Sequence, residues 1–341
     1  MQSKIRVAVV RGGPSSEYEV SLKTGAMIFQ YLNRKKYTPK LITISKSGKW
    51  PITFRKLKQN FDIVFNAMHG EYGEDGTVQT LLDKHKIPYT GSGVAASRDG
   101  MDKIASMKLF KRAGLAVPQT RVVRTSAALE SAARSFGFPV VVKPKGAGSS
   151  VGVSIVKRLS ALARAFQKAV RRGSVIVQQF IAGREVTCGV LEIEGGPAAL
   201  PGSRNSTMLR AKDTQSNFHY LALPPTEIVP KGSSFFDYRA KYAKGGSDEI
   251  TPARISKAET QKVQHAALLA HRAIRASGYS RSDFILQEPT TNNSKRKTWI
   301  LEINTLPGLT AGSLLPKAAR AAGISFPKLL ELIIEAGFKN G

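Results

Sequence analysis

Two strand-like runs near the middle of the chain, PVVVK (139–143) and VGVSIV (151–156), are separated only by the loop PKGAGSS. A loop that short cannot hold the helix of a parallel crossover, so the two runs must pair antiparallel as a hairpin. The start of the chain shows the opposite pattern. KIRVAVV (4–10), KLITI (40–44) and DIVFN (62–66) are strand-like, with another such run near 87–90, and amphipathic stretches at 20–32 and 77–85 lie between them. Strands alternating with helices predict a parallel α/β unit over about the first 96 residues.

From residue 101 the order changes. A predicted helix, MDKIASMKLFKRAG, is closed by Gly114 and Pro118. The hairpin, a helix at 159–171 and a strand at 175–179 (VIVQQ) complete an α+β unit. Beyond Glu185 the sequence predicts further strands, a polar stretch from about 195 to 237 and a long helix at 257–277. Strands at 283–287 and 298–303 and two closing helices follow. A length of 341 residues suits two or three domains, and 42% hydrophobic residues exclude a disordered chain.

The chain carries 52 Lys+Arg against 24 Asp+Glu, a formal charge of +28. A nucleic-acid binder concentrates such an excess in a tail, a stripe or one module. Here it is spread, with 16 against 8 in residues 1–100, 16 against 5 in 101–200 and 20 against 11 in 201–341. The basic runs Arg34-Lys35-Lys36 and Lys295-Arg296-Lys297 sit where loops are expected. A solvated basic surface is predicted, with no nucleic-acid partner. The single cysteine, Cys188, excludes an internal disulfide and a Cys-based zinc site and fits a reducing compartment. No apolar run approaches the roughly 20 residues that span a bilayer. The N-terminus enters a strand without the apolar core of a signal peptide. A soluble cytoplasmic protein is expected.

Some motifs fail on context. Gly91-Ser-Gly-Val-Ala-Ala resembles a dinucleotide fingerprint, but no acidic residue lies about 20 positions on to hold a ribose, so it reads as a strand-to-helix turn. Gly148-Ser-Ser-Val-Gly152 fits G-x-S-x-G, yet strand-like residues follow where a nucleophile elbow needs a helix. Its Gly and Ser amides suit instead a nest over phosphate oxygens, with Lys143 adding charge. More informative is the pairing of Arg281-Ser-Asp283 with Leu301-Glu302-Ile-Asn304. If those strands pair, Asp283, Glu302 and Asn304 converge, with Glu302 and Asn304 two apart on one face. Two carboxylates and an amide oxygen are hard ligands suited to Mg²⁺ bridging phosphates.

Together these segments resemble the D-alanine–D-alanine ligases of the ATP-grasp superfamily. The resemblance runs in family order through GGPSSEYEVS (12–21), NAMHGEYGEDGTVQ (66–79), YTGSGVAAS (89–97), MDKIASM (101–107) and VVVKPKGAGSSVG (140–152). It continues through GREVTCGV (183–190), FFDYRAKY (235–242), SRSDFIL (280–286) and LEINTLPGLTAGSLLP (301–316). The stretch 195–222 stands out as an apparent insertion. The resemblance implies an ATP-grasp fold of α/β and α+β class: an N-terminal Rossmann-like substrate-binding domain (1–97), a central domain with a phosphate-covering loop (98–184) and a C-terminal domain with Mg²⁺ and substrate sites (185–341), the last two clamping ATP. It also implies the reaction. ATP phosphorylates the carboxylate of one D-alanine and the amine of a second attacks the acyl phosphate, serving peptidoglycan precursor synthesis, with a homodimer as the expected assembly.

Carried over by position, the resemblance assigns Lys103 and Lys143 to ATP, beneath a loop containing Gly148 and Ser150, and Glu185 to the ribose. Asp283, Glu302 and Asn304 are assigned to two Mg²⁺ ions, for which Mn²⁺ can substitute. Glu17 is expected to hold the first substrate's ammonium and to link with Ser149 and Tyr242, while His69 lies near its carboxylate. Lys241 meets the transferred phosphate. Arg281 and the Gly308 N–H face the tetrahedral oxyanion, and Ser313 with the Leu314 amide holds the second substrate's carboxylate. Gln178 stands where relatives carry an adenine-side acid, and KGAG where many carry an Arg-Glu pair. Tyr242 favours an amine as second nucleophile. Two alternatives stay open: a related ligase with another second substrate such as D-serine, and a non-catalytic polyanion-binding scaffold.

Overall fold

The computed structural model describes residues 3–146, 152–194, 218–231, 246–288 and 297–338. Strands β1 (Ile5–Gly12), β2 (Tyr37–Ile44) and β3 (Ile63–Asn66) form a parallel sheet in the order β2-β1-β3. Successive side chains of β1 serve two cores. Val7 and Val9 pack with Ile28 of the following helix, Tyr18–Tyr31, and with Leu330 and Ile333 of the helix Phe326–Gly337; Ala8 and Val10 pack with Leu57, Val78 and Leu82. A sheet covered on both faces needs continuous apolar strands, which VAVV supplies. The helix covering one face comes from the far end of the chain. Gly12, at φ +88°, turns the chain out of β1, and a Cβ there would sit 2.3 Å from the Ile44 carbonyl oxygen.

The second sheet holds β4 (Thr120–Val123), β5 (Val140–Pro144), β6 (Ser154–Val156) and β7 (Val175–Gln179), in the antiparallel order β4-β7-β5-β6. The hairpin expected from the short PKGAGSS loop is the β5–β6 pair. The helices Ser126–Phe136 and Leu162–Val170 cover one face through Leu129, Ala133, Leu162 and Phe166 against Val140, Val142, Val175 and Val177. The third sheet is antiparallel and consists of β8 (Gly183–Glu194), β9 (Phe218–Ala222), β10 (Thr226–Pro230), β11 (Ser247–Ile250), β12 (Tyr279–Gln287) and β13 (Thr298–Asn304). Val186, Cys188 and Val190 of β8 pack under the helix Lys257–Ala273, while Leu191 and Ile193 face the C-terminal helices and share the core of the first sheet.

Several elements differ from the sequence expectation. The run near 87–90 makes only a parallel bridge, Val64 to Tyr89, because Pro88 has no N–H to donate to a ladder. The helix expected from Met101 starts at Lys103 and runs to Arg112, because Asp102 adopts an extended conformation and caps it, while Met101 closes the preceding helix, Val94–Met101. The helix expected over 257–277 ends at Ala273, before Arg275 at φ +57°. The stretch 195–237 reads in the sequence as polar. It contains β9 and β10, whose Leu221, Ala222 and Ile228 are buried. A window dominated by polar residues hides such short strands. Among the described residues no helix is long and apolar enough to cross a membrane.

Candidate active site

The third sheet builds the centre of the site through its register. Asp283 pairs with Thr187 on one side and Glu302 on the other; Arg281 pairs with Asn304 and Ile285 with Glu185. Cross-strand partners share a face, so Glu185, Thr187, Arg281, Asp283, Glu302 and Asn304 all project from the same side. A bulge between β12 and β13, beside Asp283 and Phe284, makes this work. Without it Ile300 and Glu302 would share a face; with it Ile300 enters the core while Leu301 and Glu302 both line a cavity. A bulge that re-aims side chains beside a cleft is a recurrent device.

Within this face the charges are matched. Arg281 Nε and Nη2 donate to Asp283 Oδ1 and Oδ2 at 3.0 and 3.1 Å, and the Thr187 hydroxyl donates to Oδ1 at 2.7 Å. Burial alone would pull the Arg281 guanidinium down; Asp283, Glu302 and Glu74 outweigh that and hold it above its ordinary range, so it stays cationic. Lys103, at the first turn of its helix and buried, places Nζ 3.7 Å from Glu302 Oε2. The Asn304 amide oxygen accepts the Leu306 N–H at 2.7 Å, which pins the side chain.

Two cavities meet at this face. One, of about 290 Å³, lies between the second and third sheets. Val140 and Val142 enter the core behind β5, so Val141 and Lys143 face this cavity, and Gln178, the cross-strand partner of Val141, faces it too. Gln178 Nε2 donates to Thr120 Oγ1 at 3.0 Å, whose own proton goes to the Pro118 carbonyl. Phe180, Ile181, Val229, Ile285 and Leu301 give it apolar walls. The other cavity, of about 340 Å³, reaches toward the first sheet and is lined by Glu17, His69, Glu74, Gly308, Ser313 and Leu314 among others. Lys103, Glu185, Ile228, Asp283 and Glu302 line both.

The second cavity is built by turns and helix ends. Glu17 occupies the N-cap position of Tyr18–Tyr31 without capping it through its side chain, and its N–H donates to Ser15 Oγ at 3.1 Å. The His69 ring is fixed by Thr24 Oγ1, 2.9 Å from Nε2, while Glu74 Oε1 lies 3.5 Å from Nδ1. Ser313 precedes the helix Leu314–Ala321, but its hydroxyl turns back to accept the Thr310 N–H at 3.0 Å. The sheet and these loops thus bring together Glu17, His69, Lys103, Lys143, Gln178, Glu185, Arg281, Asp283, Glu302, Asn304, Gly308, Ser313 and Leu314 around the paired cavities. Gly148, Ser149, Ser150, Lys241 and Tyr242 lie outside the described residues. Sequence reasoning missed Thr187, whose signal was its place two residues after Glu185 on one strand. It also missed Glu74, an acidic residue in the quoted HGEYGEDG segment. Leu301 carried no signal, since its orientation depends on the bulge.

A family model described as D-ala D-ala ligase N-terminus matches residues 6–58 and 51–92, and one described as D-ala D-ala ligase C-terminus matches 109–208 and 214–335. The second match leaves out only 209–213 of the stretch taken for an insertion at 195–222, which is therefore largely family sequence. A D-alanine–D-alanine ligase of Anaeromyxobacter sp. (strain Fw109-5) is 42% identical over 333 residues, covering 97% of this chain and 96% of that protein. One from Syntrophobacter fumaroxidans is 39% identical over 342 residues, covering 99% of each. Among solved structures, the VanG D-Ala:D-Ser ligase from Enterococcus faecalis matches with a TM-score of 0.80 at 28% identity, over 98% of this chain and 99% of that one. The D-alanine–D-alanine ligase from Bacillus anthracis complexed with ATP matches with 0.75 at 29% identity, over 98% of each. Matches that run from residue 6 to residue 335, with relatives near 40% identity over almost the whole length, place this chain in the D-alanine–D-alanine ligase family.

Proposed function

We propose that this chain is an ADP-forming ligase that joins two molecules of D-alanine at the expense of ATP. The observation that carries the reading is the junction: a cavity of about 290 Å³ with apolar walls and a second cavity lined by Glu17, His69 and Ser313 share Lys103, Asp283 and Glu302. A carboxylate is a poor electrophile, and transfer of the γ-phosphoryl group to its oxygen converts that oxygen into a leaving group. The second amine, once deprotonated, attacks the acyl carbon, and phosphate leaves to give D-alanyl-D-alanine. Catalysis of both steps is largely positioning and charge neutralisation.

In this reading Lys103 and Lys143 neutralise the nucleotide phosphates, Glu185 holds the ribose and Gln178 meets the base. Glu17 and His69 orient the first D-alanine, and Ser313 with the Leu314 N–H, at a helix N-terminus, receives the second substrate's carboxylate. Arg281 and the Gly308 N–H stabilise the oxyanion of the tetrahedral intermediate. Ser149, Lys241 and Tyr242 keep the roles the resemblance implies. Among the described residues no group of three His, Cys, Asp or Glu side chains is placed to hold a metal ion, and the candidate cation set is two carboxylates and an amide. That set fits Mg²⁺: Asp283 and Glu302 are cross-strand partners, and Asn304 shares their face. When bound, the ion would shield phosphate charge. The three units at 1–97, 98–184 and 185–341, a cytoplasmic homodimer and a solvated basic surface belong to the same proposal.

The test is phosphate release with ATP and Mg²⁺, comparing D-alanine, L-alanine, D-serine and D-alanine with D-lactate. D-Alanine alone is expected to support turnover and L-alanine to fail. Release that requires D-serine would favour the activity named for the Enterococcus relative, and none with D-alanine would overturn the reading.

A further inference from the structure

Outside the residues already assigned, one ion pair joins two separately packed parts of the molecule beside the site. Asp102 lies between the helices Val94–Met101 and Lys103–Arg112. Its Oδ1 accepts the Ile104 and Ala105 N–H groups at 2.9 and 3.2 Å, and its Oδ2 takes Lys145 Nζ at 2.7 Å. Lys145 follows β5, and its own N–H donates to the Ser174 carbonyl at 2.7 Å. Through Phe110 the helix belongs to the core of the third sheet, whereas Val140 and Val142 of β5 belong to the core of the second. The pair therefore spans the cleft.

Its ends are close in sequence to the two buried lysines of the nucleotide-side cavity. Lys103 is the residue after Asp102, and Lys143 lies two before Lys145. Lys103 and Lys143 belong to separately packed bodies, so a restraint on their spacing has to cross from one to the other. One carboxylate that caps the first backbone and binds a cation on the second provides it. Burial tends to raise the Asp102 pKa, but Lys145 and the two N–H groups outweigh that and hold it below its ordinary value, so the pair is charged at working pH. Both side chains are about one-third exposed, at 34% and 35%, so the pair adds little to global stability and its effect is geometric.

We propose that Asp102 and Lys145 are positioning residues, a brace across the cleft that sets the spacing of Lys103 and Lys143 for the nucleotide phosphates. This rests on the ligase reading for the role of those lysines. The test compares Asp102→Asn, which keeps an oxygen for the cap, Lys145→Met and the double variant. Each single change should raise KM for ATP by about 10-fold, and because the partners act as a unit the double should be no worse. KM for D-alanine and the Tm should stay at their wild-type values. ADP titration by calorimetry, which needs no turnover, should show the same loss of affinity and keeps the brace testable if the ligase reading fails. Unchanged nucleotide affinity in Lys145→Met, effects that multiply in the double variant, or a fall in Tm with both KM values moving together would each overturn the proposal.

Discussion

The two halves of the paired cavity are built by different means. On the nucleotide side and along the shared seam, side chains project from β5, β7, β8, β12 and β13, and their direction follows from position along a strand. On the acceptor side Glu17, His69, Gly308 and Ser313 come from turns and from the residues before helices. Strand register holds several groups at once, because moving one means breaking a ladder of hydrogen bonds. A loop holds each group through one or two individual bonds, such as that from Thr24 of the helix Tyr18–Tyr31 on His69 or that from Thr310 on Ser313. Changes on the strands should therefore abolish chemistry, and changes on the loops should shift substrate binding.

The sharpest way to break this contrast is Glu302→Gln. The side chain is one-third exposed, so the fold should survive, and Gln preserves shape while removing the charge that faces Lys103. Loss of a charge at the phosphoryl-transfer seam is expected to lower kcat by about 10³-fold or more with little change in Tm. ADP release under saturating substrates measures it. A loss smaller than that of any loop variant would sink the contrast.

The same contrast explains what the sequence made legible. Asp283, Glu302 and Asn304 could be brought together from the alternation of WILEIN and SDFIL, because a period of two is visible in a string of letters. The bulge beside Asp283 was not visible, since nothing in the residue types marks the extra position, and Leu301 was missed with it. For Glu17, His69 and Ser313 no periodicity applies, and only the family resemblance pointed to them. The break at Asp102 had a signal, an Asp followed by a helical run, but the run from Met101 concealed it. Long-range closure was out of reach as well: no local pattern says that the helix Phe326–Gly337 returns to cover β1.

A smaller effect is expected on the loop side from Gly308→Ala. A methyl group there would sit 2.9 Å from Ser313 Oγ, closer than side chains tolerate, and the hydroxyl can yield by rotating away from Thr310. The outcome should be a rise of about 10-fold in KM for D-alanine with KM for ATP unchanged, as expected when the Ser313 hydroxyl is displaced while alanine keeps the backbone N–H that faces the oxyanion. A fall in kcat as large as that of Glu302→Gln would show that the loop is as tightly coupled to chemistry as the strands.

The smallest effect concerns stability, and it tests whether the strand side is held by charge as well as by register. Glu227, buried on β10, accepts Arg184 Nε and Nη2 at 3.1 and 2.7 Å on Oε1 and Arg254 Nε at 3.0 Å on Oε2. Burial alone would raise its pKa; the two guanidinium groups outweigh burial and hold it below the ordinary glutamate value. A carboxyl whose folded pKa is depressed binds protons more readily when unfolded. Its contribution is complete above the unfolded value of about 4.3 and is lost as pH falls through the folded value. Both arginines stay charged throughout, so Glu227 sets the sign. The wild-type chain should therefore melt a few degrees above Glu227→Gln near pH 7, and the gap should narrow as pH drops below about 4, where the protonated carboxyl resembles the amide. A gap that stays constant across that window would mean that the three side chains act through packing alone, and that register without charge holds the nucleotide wall.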